Sequence, residues 1–265
     1  MMIKKHKNLF LLGLFLIGLN SINAQEETTI NGLETTQKKM VYQLRAGVNI
    51  GGFSPVPIPE EIREIEGFNP KLNFNIAGNA TYWFFNSNAA WGIRAGIRLE
   101  NKGMSAKSKV KNYGMEIIGD DGNRVAGNWT GRVSTEVANS YLSFPITAVY
   151  KLSKPWEISA GFIVSYLMDK DFSGYVSDGY LREGGPTGEK AIFEGESKAS
   201  YDFSDNLSRF SYGIQVGGSL QVYSHLRVFA DLSYGFNDIF KSDFETITFK
   251  MHPIYLNFGF AYVFK

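Results

Sequence analysis

Chemistry on a lipid or a sugar needs a histidine placed to activate a serine, or two carboxylates set for acid–base work. The chain has three histidines, and His6 lies in an N-terminal segment that reads as removable. His225 ends a short turn, Tyr223-Ser224-His225, with no base partner near it in sequence. His252 precedes Pro253, with Ser242 and Asp243 upstream, but that loose set matches no known spacing for nucleophilic catalysis. Asp120-Asp121-Gly122-Asn123 offers oxygen ligands and a glycine without the later glutamate of a calcium loop, so it reads as a polar turn. The glycines at 213, 217 and 218 precede no helix and make no phosphate cradle. These residues predict no catalytic group, no metal site and no cofactor.

A second set of charges is more telling. Arg45, Arg94, Glu157, Arg227 and Asp231 each take a polar position in a stretch where apolar and polar residues alternate one-for-one. Eight stretches show that pattern. Leu72–Phe84 is the clearest, with Leu72, Phe74, Ile76, Ala80, Tyr82 and Phe84 on one face and Asn73, Asn75, Asn79 and Thr81 on the other. Successive side chains of a strand point to opposite faces, so each stretch is a strand with one apolar and one polar surface. No helical pattern is available to cover eight apolar faces. The fold expected is therefore all-β: an eight-stranded antiparallel up-and-down transmembrane β-barrel, apolar toward lipid and polar toward the lumen.

The ends and the composition agree. Lys4, Lys5 and Lys7 precede the apolar run Leu9–Leu19, and Ile22-Asn23-Ala24 ends in a small residue, so 1–24 reads as a cleaved secretory signal peptide. Residues 25–40 read as a polar periplasmic tail, and 41–265 as the barrel domain. The whole chain has 27 Lys+Arg against 26 Asp+Glu; without those three lysines the balance is 24 to 26, a formal charge of −2. That leaves no basic footprint for nucleic acid. Zero cysteines exclude a disulfide framework, a thiolate metal site and a lipoprotein anchor. Aromatics at 15% and 28 glycines suit a barrel with girdles and tight turns.

Connections between the eight stretches alternate long and short. The long ones, through Pro70, Gly103–Arg132, Asp169–Asn206 and the segment before Ile254, would be external; the short ones at 86–89, 151–155 and 223–225 periplasmic. Outward Tyr42, Phe84, Trp91, Tyr150, Trp156 and Phe264 then fall at the periplasmic strand ends as an aromatic girdle. Arg45, Arg94, Glu157, Arg227 and Asp231 face a lumen that eight strands leave just wide enough for side chains, so they should pair there as a structural network. Pro145 removes a ladder hydrogen bond and predicts a bulge or bend.

The wording of the strands resembles the PorT-like, porin-family outer-membrane β-barrel proteins of Bacteroidota. Tyr141-Leu142-Ser143-Phe144-Pro145-Ile146 is similar to that family's characteristic strand, with Ser143 where a glutamate is usual. Lys154-Pro155-Trp156 through Ile163, Phe210–Gly218, Asp231–Phe236 and Leu256–Phe264 resemble its later strands. The resemblance implies the cell outer membrane as location and outer-membrane lipid as surroundings. It leaves the ligand unknown and admits envelope or secretion-complex proteins as partners. The function expected is a non-enzymatic barrel with a largely plugged lumen, acting through external loops or envelope partners. A narrow arginine-lined transport pore, a secretion-apparatus accessory and a lipid-modifying enzyme are the competing readings.

Overall fold

The computed structural model describes residues 40–86, 89–119, 122–185 and 187–264. The segments read as signal peptide and tail up to residue 39, and Asp120 with Asp121, lie outside them. Among the described residues eleven strands form one antiparallel sheet, not the eight expected. They are β1 (Met40–Pro55), β2 (Ile62–Asn69), β3 (Asn73–Asn86), β4 (Ala89–Ile118), β5 (Arg124–Lys151), β6 (Trp156–Asp169), β7 (Phe172–Glu183), β8 (Lys190–Asp202), β9 (Phe210–Gln221), β10 (Leu226–Gly235) and β11 (Met251–Phe264).

The eight strands read from alternation are β1, β3, β4, β5, β6, β9, β10 and β11. Each pairs with its neighbour in that order, and β11 pairs back to β1 from Tyr42↔Phe264 to Pro55↔Met251. The three additional strands all lie in segments expected to be long loops. β2 extends the sheet along β4, β7 along β5, and β8 along β7, with β8 meeting β4 again at Ser200↔Ile118.

β4 and β5 are 30 and 28 residues long, absorbing most of the polar segment 103–132 that was expected as a loop. A bulge hides the pattern there. Between Val110 and Tyr113 the register shifts, and Asn112 takes a left-handed φ of 57°. Inward-facing positions consequently change from even (Lys102, Met104, Val110) to odd (Tyr113, Met115, Ile117), so no single alternation runs the length of the strand. Of the bulge or bend expected at Pro145, the ladder shows no bulge but an interruption. The β4–β5 ladder breaks opposite Gly96-Ile97 and resumes in the same register at Arg98↔Ser143.

The interior changes character at one level. In register, Lys102 stands opposite Asn139 and Met104 opposite Val137. On the short-turn side of that level the buried inward residues are largely polar, including Asn49, Ser143, Thr147 and Gln215. Beyond it a hydrophobic core takes over, with Trp129, Val133, Phe172, Leu181, Phe203 and Phe240 all buried. Phe203 packs against Tyr201 and Phe244 at centroid distances of 5.1 Å each. Each such side chain contributes about 1.5–3 kcal/mol through area removed from water.

Candidate functional site

Among the described residues, charged side chains collect out of contact with solvent in the polar stretch of the interior. Inward parity on β1, β4, β6 and β10 puts Arg45, Arg94, Glu157, Arg227 and Asp231 there, each no more than 6% exposed. The structure brings all five together in two groups. Glu157 bridges two arginines, with Arg94 Nη2 2.7 Å from Oε2 and Arg227 Nη1 2.7 Å from Oε1. Asp231 Oδ2 lies 3.0 Å from Arg45 Nη1.

Three further residues join the network that the five-residue reading omitted. Arg98 Nη2 lies 3.5 Å from Asp231 Oδ2, and its Nη1 3.7 Å from Glu100 Oε2. Lys102 Nζ lies 3.1 Å from Glu100 Oε1 and sits over the rings of Tyr141 and Tyr255. Their parity with Arg94 on one strand was the available signal. Ser143 donates to Glu100 Oε1 at 2.5 Å and shares a 2.7 Å hydrogen bond with Ser165. Arg45 also stacks on Phe229, and Lys151 on the buried Trp83, 4.6 and 4.1 Å from the centroids. Among the described residues, a void of about 10 Å³ lies between Arg45, Arg94, Arg98 and Gln215.

The residues weighed for covalent chemistry are engaged elsewhere. His225 Nδ1 is 2.9 Å from the Val263 carbonyl, and its ring stacks on Tyr262. His252 Nδ1 is 3.0 Å from the Gly235 carbonyl and stacks on Tyr234, while Ser242 and Asp243 are exposed. Among the described residues, neither imidazole is brought to a serine and a carboxylate. Among the described residues no group of three or more metal-ligating side chains occurs.

The six aromatic positions fall near the short-turn end. Tyr42 is in register with Phe264, and Phe84 with Trp91, which in turn meets Tyr150 with centroids 4.6 Å apart. Trp156 opens β6 opposite Leu220. All but the half-buried Tyr150 are exposed. Tyr223, 72% exposed in the β9–β10 turn, adds a seventh that the girdle reading passed over.

A circuit of antiparallel strands with polar buried residues inside and large apolar residues outside is the construction of an outer-membrane barrel. The chain belongs to the outer membrane protein beta-barrel domain family, whose model matches residues 23–241. A crystal structure of Neisserial surface protein A aligns over 85% of this chain and 97% of its own, at 12% identity and a TM-score of 0.31. A search of curated proteins finds no match.

Proposed function

We propose that the eight-strand circuit spans the outer membrane as a closed barrel with a plugged lumen, after export by a cleaved signal peptide at 1–24. Its role is structural or in binding, carried by the outer strands and connections, and no step of catalysis is assigned to it. The observation that carries this reading is the outward surface. Ile97, Ile146, Phe162, Val216, Leu232 and Phe260 all stand exposed on it, with a charge network sealed behind them. Water would leave those apolar faces unsatisfied, whereas hydrocarbon matches them.

The six aromatic positions then serve as the girdle at the periplasmic boundary. The eight charged residues hold the lumen shut: buried, mutually paired side chains fill the section and leave no conduit for solute. The strand from Tyr141 to Ile146 supports placement among the PorT-like barrels, with envelope proteins as the expected partners. Planar-bilayer recording is the test. The plugged lumen predicts no steady conductance, and open-channel currents of nanosiemens size would instead favour the transport pore.

A further inference from the structure

The wall around the outer core is not sealed by a complete ladder. β1 pairs with β3 only as far as Asn49↔Asn73, although β1 continues to Pro55. Beyond β3, the strand beside β4 is β2, from Asn69↔Ser105 outward, and among the described residues no ladder joins β2 to β1. The N–H of Phe53 donates to Met104 Sδ at 3.3 Å. A seam therefore runs between the outer part of β1 and β2.

Behind the seam lies a cavity of about 480 Å³, within the range of about 300–1,000 Å³ typical of small-molecule sites. Its walls include Phe53, Ile62, Phe68, Met104, Val110 and Phe249, and no lining residue carries a charge. Hydrogen-bonding groups are few, and one of them, Thr135 Oγ1, is already 2.7 Å from the Tyr201 hydroxyl. Ile58, Ile65 and Phe68, which also line it, are more than half exposed. A sugar or nucleotide would lose its hydrogen bonds here, whereas an alkyl chain loses nothing. Met104 and Met251 provide adaptable walls for such a chain.

What lies next to the seam names the occupant. Leu72, just before β3, and Phe74, within it, each 63% exposed, lie four and six residues after Phe68 at the start of the outward face. At about 3.3 Å per residue they are within about 20 Å of it along the chain. An apolar surface thus continues from the lipid-facing side of β3 into the cavity. We propose that the seam between β1 and β2 admits one alkyl chain of an outer-leaflet lipid into this cavity. The inference rests on the membrane reading above. Each methylene buried should tighten binding about fourfold until the cavity is full.

The test uses the full mature protein in vesicles of phosphatidylethanolamine and phosphatidylglycerol. A trace of phosphatidylcholine carries a diazirine on the terminal carbon of one chain. That carbon normally lies at the bilayer centre, so irradiation should label Leu232 and Val216. A chain lodged in the cavity should also label Phe53, Phe68 or Met104. Gly52→Leu should abolish the cavity label and keep the mid-membrane label, because a Cβ at 52 meets Met104 Sδ at 2.8 Å and the Phe68 ring at 3.0 Å. Ala106→Leu fills the same cavity from β4 and should do likewise if Gly52→Leu does not fold.

Mid-membrane label alone overturns the inference and leaves the membrane reading standing. Label at neither place overturns both. Cavity label that survives both folded variants overturns the assignment to this cavity. A second arm replaces the photoreactive phospholipid with a free fatty acid bearing the same group. Cavity labelling by the free acid but not by the phospholipid overturns lateral entry of a membrane lipid.

Discussion

The same strands carry two opposite patterns. On β5, Ser143 and Thr147 face inward with Phe144 and Ile146 outward; further along, Val133 and Val137 face inward with Arg132 and Glu136 outward. Inward parity does not change between the two regions, yet the chemistry on each face exchanges between Asn139 and Val137. On the membrane reading proposed above, the surroundings decide it. Where lipid lies outside, the apolar face turns outward and the lumen carries charges that pair with one another. Where water lies outside, the strands obey the ordinary rule of a soluble core. One region is held by paired charges, the other by apolar packing.

The sharpest way to break the comparison is to remove the acid shared by two arginines. Glu157→Ala strands Arg94 and Arg227 without their carboxylate, and refolding titrations in urea should show a loss of about 3–5 kcal/mol. A loss below about 1 kcal/mol would mean that solvent, not pairing, satisfies the lumen. Next comes the outer surface of the lipid-facing region. Leu232→Arg should lower folding stability in lipid by about 2–4 kcal/mol, and a neutral result would place Leu232 away from hydrocarbon. Across the exchange level, Val137→Asn sets in the hydrophobic core the residue type tolerated two positions away. It should cost about 1–3 kcal/mol and increase proteolysis in β7–β8, while unboiled protein still migrates differently from boiled on a gel.

The smallest effect is expected from alkali. Burial pushes the phenols of Tyr113 and Tyr201 above their ordinary value, so both stay protonated where exposed tyrosines ionise. The native state then holds protons that the unfolded chain releases. Their stabilising share is complete below about pH 10 and declines as pH rises further. Ultraviolet absorbance at rising pH should show these two phenols titrating late and together with loosening of the outer core. Early, independent titration would show that the core admits water.

The lipid-facing strands were legible because one rule, apolar outward, holds along β3, β6, β9, β10 and β11. Inward Arg45, Arg98, Glu100 and Asp231 could all be placed from parity alone, and so could Lys102 had the rule been carried one position further. The outer strands were illegible for two physical reasons. Asn112 at the bulge reverses parity within β4, and the exchange at Met104 and Val137 makes the apolar residues point inward. A pattern matched to a single solvent returns neither strand nor core there. β2 and β8 offered even less, since most of their residues are exposed on both faces and show no alternation.

The pairing of β1 with β11 bears on when folding can happen. Tyr42 and Phe264 become neighbours although nearly the whole chain separates them, and the pairings continue to Pro55 and Met251. No ribosome or export channel can deliver the first of these strands together with the last. Until β11 emerges, the edge of β1 has no native partner on that side, and the intermediate presents an open template for any other strand. Contacts so distant in sequence also form slowly, because closure of a long loop precedes any reward from them. Completion of the ring is therefore a late event, after the aromatic strand β11 arrives.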